Sequence, residues 1–137
     1  MSFNTISVVG LGYVGLPTAA TIAARGVNVI GVDIRKEAVE RINQGQAHFS
    51  EPDLDIILNS VVRSGKLRAV TAPEPADAFM IAVPTPTDAE HKPDMTLVEA
   101  ALTNLAPVLK SGDLVIVEST SPVGTTRRAT ELIKSLR

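Results

Sequence analysis

The chain has 137 residues, 45% of them apolar and 20% charged, with a net charge of −2, so it is one soluble domain's worth of protein without a basic footprint for nucleic acid or an anionic membrane. It has no cysteine, one tyrosine, three phenylalanines and no tryptophan, which excludes disulfides, a thiolate zinc site, a cysteine nucleophile within these residues and an aromatic platform for single strands. The polar start MSFNTISVVG lacks the basic region and apolar run of a signal peptide, and no apolar run approaches the ~20 residues of a membrane-spanning helix, so a cytoplasmic protein is expected.

In chain order, Ile6 to Val9 is a short apolar run that reads as a buried strand. Tyr13 to Ala24 reads as a helix that Gly26 stops, with Pro17 tolerated near its start. Asn28 to Val32 is a second strand ending at Asp33, and Lys36 to Asn43 a short helix closed by Gly45. After a loop, Leu54, Ile57, Leu58, Val61 and Val62 recur at helical spacing, with Asp53 as the expected N-cap and Gly65 as the stop. Leu67 to Val70 and Ala78 to Val83 are the third and fourth strands, and the polar, proline-rich Pro84 to Pro93 is a surface loop. Leu97, Ala101, Leu105, Val108 and Leu109 predict one face of a long helix ended by Gly112. Leu114 to Val117 is the fifth strand, and Thr125 to Leu136 a last helix.

This order, without repeats or an internal linker, predicts an α/β fold: a Rossmann-type, doubly wound parallel sheet of about five strands with helices on both faces. Ligands of such sheets sit beyond the carboxyl ends of the strands, which singles out positions 10–15, 33–36, 84–86 and 118–126. A sixth strand would complete the second half of the fold, so residues 1–137 are expected to be the N-terminal domain of a larger enzyme.

Gly10-Leu11-Gly12-Tyr13-Val14-Gly15 matches G-x-G-x-x-G. The pattern alone is weak, but here it follows a strand and opens a helix. Gly10 suits the tight turn, Gly12 a close approach of the backbone to a pyrophosphate, and Gly15 close packing of helix on strand. The backbone amides of Tyr13 and Val14 are candidates for phosphate contact at the positive end of the helix dipole. Asp33, 18 residues beyond Gly15, is placed to accept from both ribose hydroxyls and to repel a 2′-phosphate, which predicts NAD rather than NADP. Arg35 either softens that preference or stacks on adenine. The alternative is a glycine turn and a solvated strand end.

Two later stretches, Ile81-Ala82-Val83-Pro84-Thr85-Pro86-Thr87 and Glu118-Ser119-Thr120-Ser121-Pro122-Val123-Gly124-Thr125-Thr126, join GLGYVGLPTA in a combination that resembles the UDP-glucose/GDP-mannose dehydrogenase family, NAD-dependent enzymes that oxidise a nucleotide sugar at C6. The resemblance covers the whole chain. The stretches EPDL, PDMT and ESTSPVG are most similar to bacterial members acting on UDP-N-acetyl-D-mannosamine, which make its uronate for surface polysaccharides such as the enterobacterial common antigen.

That resemblance implies roles for particular residues. Tyr13, Val14 and Asp33 would hold NAD, and Val83, Pro84 and Thr85 would lie along its nicotinamide half. Thr120 matches a threonine near the reaction centre, a candidate assisting catalytic residue, and Thr126 would meet the cofactor from the next helix. For Thr85 and Thr120 turn-capping is the rival role, and for Thr126 helix-capping. The family's aldehyde step uses a cysteine nucleophile, which this chain lacks. The substrate-binding residues for the UDP-sugar and the helix that forms the homodimer are expected beyond residue 137. Residues 1–137 should therefore bind NAD without turnover.

His48 and His91 lie in polar loops without a partner at a telling spacing and are expected to be solvated. Met80 and Met95 read as packing residues, and Glu51-Pro52-Asp53 as a turn with a helix cap. Readings from other classes are a non-catalytic NAD-sensing module, which needs no lining near the nicotinamide, and an S-adenosylmethionine methyltransferase, which lacks the later turns. Within the family, UDP-glucose, UDP-N-acetylglucosamine or GDP-mannose remains open, because no residue here reads the sugar.

Overall fold

The computed structural model describes residues 3–87 and 89–136. Five strands, β1 (Thr5–Val9), β2 (Asn28–Val32), β3 (Leu67–Val70), β4 (Ala78–Ile81) and β5 (Leu114–Val117), form one sheet in the order β3-β2-β1-β4-β5. Every pairing is parallel. The helices are α1 (Gly15–Ala24), α2 (Lys36–Asn43), α3 (Leu54–Arg63), α4 (Thr96–Leu105) and α5 (Thr125–Ser135).

Alternation along the strands assigns the two faces. Val8, Val29, Leu67 and Ala69 pack with Leu16, Ala19 and Ala20 of α1, Val39 and Ile42 of α2, and Leu54, Leu58 and Val61 of α3. Val9, Ile30, Val32, Phe79 and Ile81 point to the other side and pack with Val98, Leu102 and Leu105 of α4 and Ala129 of α5. Strands buried on both faces read as continuous β-branched runs, as these do. Met80 and Met95 are partly buried against the two clusters, in the packing role expected of them.

The predicted elements occur in the predicted order, with local differences. α1 starts at Gly15 rather than Tyr13, leaving Tyr13 and Val14 in the turn before it. β4 stops before Ala82, whose backbone passes close against Gly10. α4 is not the long helix predicted: the segment tightens into a 3-10 turn at Ala106–Val108, where Pro107 removes a backbone donor. Its buried face is Val98, Ala101, Leu102 and Leu105, while Leu97 is 40% exposed. Asp53 does stand at the N-cap of α3, but in a left-handed conformation without a side-chain cap bond. Asp55 bonds instead, accepting from the Ala47 N–H at 2.8 Å.

At the β3 edge, Asn43 does the work of a further strand. Its Nδ2 donates to the Ala69 carbonyl at 2.9 Å and its Oδ1 accepts from the Ala69 N–H at 2.8 Å. Asn43→Ala leaves both backbone groups part-buried and unpaired. It should lower the unfolding free energy by about 1–3 kcal/mol, read as a lower urea midpoint at unchanged m-value.

Candidate functional site

A crevice of about 790 Å³ opens at the carboxyl ends of β1, β2 and β4, where the chain order of the strands reverses. The glycine loop forms its floor. Gly10 has φ 99°, and a Cβ there would come within 2.8 Å of the Ala82 backbone. At Gly15 a Cβ would lie 1.7 Å from the Gly10 carbonyl oxygen, so only glycine lets α1 start this close to β1. Around Gly12 there is nothing within 4 Å of a Cβ position: the second glycine is not needed for packing and leaves its backbone bare to the crevice. Among the described residues, no group accepts from the N–H of Gly12, Tyr13, Val14 or Gly15, and the first helical bond runs from the Leu16 N–H to the Gly12 carbonyl at 3.1 Å. Unpaired donors at a helix N-terminus are an anion site.

Asp33 closes the other side. Its side chain is 7% exposed, and all its acceptor capacity is engaged. Oδ2 accepts from the Leu11 N–H and Arg35 Nη2, both at 3.0 Å; Oδ1 accepts from the Arg35 N–H and Nε, both at 2.9 Å. Burial by itself raises this carboxyl, but the guanidinium of Arg35 and the two backbone N–H groups outweigh it and hold the pKa below the ordinary 3.8. Arg35 is raised in return by the carboxylate it bonds. Ile34, 78% exposed beside Asp33, adds an apolar surface to the same rim.

Val83, Pro84, Thr85 and Thr120 all line the crevice, as expected from their places after β4 and β5. Ser119 joins the two turns by donating its hydroxyl to the Val83 carbonyl at 2.7 Å. Neither the Thr85 nor the Thr120 hydroxyl has a partner among the described residues, so neither is spent on capping a turn. Thr126 is not brought in. It stands exposed in the first turn of α5, and the hydroxyl that bonds there is that of Thr125, to the Pro122 carbonyl at 2.7 Å.

The crevice also has walls that local patterning did not single out. Thr71 and Pro73 follow β3, the neighbour of the strand that carries Asp33. The strand-end rule that selected the other turns would have found them. α4 contributes Leu97, Ala100 and Asn104, a side of the helix that periodicity treated as core or solvent. His48 is not solvated as expected: it is half-buried, its Nε2 meets the Leu11 carbonyl at 2.5 Å, and its ring lies edge-on to Phe49 at 4.9 Å. Its neighbour Ala47 is buried in the core. His91 is exposed. No metal-binding group of His, Cys, Asp and Glu occurs among the described residues, and no helix there is long and apolar enough to cross a membrane.

The family described as the UDP-glucose/GDP-mannose dehydrogenase family, NAD binding domain, matches residues 4–137. The chain is 58% identical over its whole length to UDP-N-acetyl-D-mannosamine dehydrogenase of Yersinia pestis, covering 33% of that protein. It is 56% identical over its whole length to NDP-N-acetyl-D-galactosaminuronic acid dehydrogenase of Ralstonia nicotianae, covering 32% of it. Among solved structures, the UDP-N-acetyl-mannosamine dehydrogenase of Staphylococcus aureus superposes with a TM-score of 0.91 at 42% identity, over 96% of this chain and 33% of that one. The chain thus spans about a third of the length of these relatives.

The lowered carboxyl of Asp33 sets a pH signature. A group whose folded pKa is depressed stabilises the fold fully above its unfolded value, here near 3.8, and that contribution fades as pH falls through the lower folded value. Asp33→Asn should cost about 2 kcal/mol at neutral pH, the scale of hydrogen bonds to a charged group. The gap to wild type in urea midpoints should shrink on acidification below about pH 4, and a gap constant across that window would count against the assignment.

Proposed function

Since the chain belongs to the UDP-glucose/GDP-mannose dehydrogenase family, as its NAD-binding domain, we propose that it serves in an enzyme oxidising UDP-N-acetyl-D-mannosamine at C6 to the uronate. The observation that carries the cofactor half of this reading is the bare run of N–H groups from Gly12 to Gly15 facing the buried carboxylate of Asp33. A diphosphate fits the donors, and a ribose diol fits the carboxylate. NAD supplies a hydride acceptor when bound; the chain's own residues bind and orient it.

Gly12, Tyr13 and Val14 would donate to the pyrophosphate from the backbone. The ribose hydroxyls would reach Asp33 by exchanging with the Arg35 guanidinium, which is 52% exposed and free to leave, whereas the Leu11 and Arg35 N–H groups stay. The displaced guanidinium is then available to stack on adenine. A 2′-phosphate would meet the same carboxylate and be repelled, giving NAD preference. Val83, Pro84 and Thr85 lie on the side expected for the nicotinamide. The unpartnered hydroxyls of Thr85 and Thr120 suit the orientation of a carboxamide, and Thr120 an assisting role near the reacting carbon. Thr126 is exposed and belongs to this site only if α5 closes toward the cofactor.

The substrate half rests on the names of the relatives. The 58% identical Yersinia protein supports UDP-N-acetyl-D-mannosamine, and the 56% identical Ralstonia protein supports a second reading, another N-acetylated nucleotide sugar. In either case the enzyme would work in the cytoplasm on a precursor of surface polysaccharide, such as the enterobacterial common antigen. It would act as a homodimer through parts other than these residues. The nucleophile of an aldehyde step is not among them either, because the chain has no cysteine.

Titration calorimetry tests the cofactor. The chain should bind NAD more tightly than NADP, and Asp33→Ala should remove about tenfold or more of that margin, the worth of hydrogen bonds to a charged group. Gly12→Val should abolish NAD binding while leaving the urea midpoint near wild type, since its side chain enters only the open crevice. Undiminished NAD binding by Gly12→Val would remove the pyrophosphate from this loop. For turnover, the chain alone should give no NADH with UDP-N-acetyl-D-mannosamine.

A further inference from the structure

The Leu11–Gly12 peptide is held at its carbonyl, and the peptide before it at its N–H, by residues distant in sequence. The Leu11 N–H donates to Asp33, and the Leu11 carbonyl accepts from His48 Nε2 at 2.5 Å. A carbonyl only accepts, so Nε2 carries the proton. The segment bearing His48 is itself pinned. Ala47 is 5% exposed, and its N–H donates to Asp55 at 2.8 Å; a Cβ on the preceding Gly45 would strike Asn59 at 2.8 Å. Phe49 meets both the His48 ring and Tyr13 of the glycine loop, the latter at 4.6 Å between ring centroids.

No peptide bond among the described residues is cis, and in a trans peptide the carbonyl of one residue and the N–H of the next point in opposite directions. With the Leu11 carbonyl turned to His48, the Gly12 N–H points away from it, and it has no acceptor among the described residues. Glycine tolerates either sign of φ, and the space around Gly12 is open. Nothing in Gly12 itself therefore prevents this peptide from turning over and presenting a carbonyl oxygen where a phosphate oxygen should sit.

We propose that His48 is a positioning residue: its Nε2–H locks the Leu11–Gly12 peptide in the orientation that offers the Gly12 N–H to the cofactor's diphosphate. The proposal rests on the reading of the crevice as an NAD site. It assigns a specific task to a segment outside the glycine fingerprint, and it makes diphosphate affinity depend on a side-chain donor reaching across 37 residues.

Two substitutions separate this task from packing. His48→Phe keeps a ring against Phe49 and removes the donor, whereas His48→Gln keeps an Nε2 donor at the same number of bonds from Cβ and removes the ring. Calorimetric titrations would use NAD, ADP and adenosine, the last lacking any phosphate. His48→Phe should weaken NAD and ADP about tenfold, the scale of one lost hydrogen bond with its orphaned partner, and leave adenosine unchanged; His48→Gln should bind all three as wild type does. NAD and ADP affinities unaltered by His48→Phe would overturn the lock. So would a parallel loss of adenosine, which marks general damage to the crevice, or a His48→Gln variant as weak as His48→Phe. Failure of the wild-type chain to bind NAD at all would instead overturn the reading of the crevice on which the lock rests.

Discussion

Asp33 leaves the end of β2 with its carboxylate almost wholly out of water, and a buried charge persists only where hydrogen bonds replace its hydration. Two of its partners belong to its own turn, but the third is the Leu11 N–H of the glycine loop, 22 residues earlier. That bond joins the two halves of the crevice: it fixes the distance from the glycine turn to the buried acid. It also orients the first peptide of the loop, so the buried acid shapes the surface that the glycine turn presents to the crevice.

The glycine loop is held from below as firmly as from the side. The Gly10 N–H donates to the Val32 carbonyl at 2.8 Å, and Leu11, fully buried, rests on the bare backbone of Gly31, where a Cβ would come within 2.9 Å of it. Gly10 and Gly15 let three backbone segments pass at distances no side chain permits. Gly12 is the exception, open to solvent on a loop otherwise fixed. Rigid support with one bare position is the arrangement an anion site requires, because donors already in place cost no ordering when the ligand arrives.

Beyond the loop, the crevice is assembled from strand ends that the sheet brings together. Ser119 ties the turn after β5 to the turn after β4, and this brings Thr120 and Thr85 into one crevice although they are 35 positions apart. On the other side β3 delivers Thr71 and Pro73 past Asp33, and α4 lays Leu97, Ala100 and Asn104 across the opening. The one charge these walls add is Glu118, which is exposed. Asp33 is thus the crevice's buried charge, opposed by the dipole of α1.

The sequence by itself determined the elements, the glycine turn and the acid after the second strand, because each has a local cause. β-branched runs prefer strands, glycines permit turns that other residues cannot make, and a helix needs its apolar side at regular spacing. Local reading passed over one local cause, Pro107, which cut short a helix whose apolar spacing continued. Elsewhere the surroundings decided the outcome, and Leu97 turned to the crevice rather than the core. Asp53 left its capping role unfilled, and His48 met the Leu11 carbonyl. Only the tertiary structure decided the strand order and hence that the turn after β3 and a side of α4 join the crevice, because strand pairing depends on which apolar faces meet across the sheet. That is a property of the whole chain, and no window of neighbouring residues contains it.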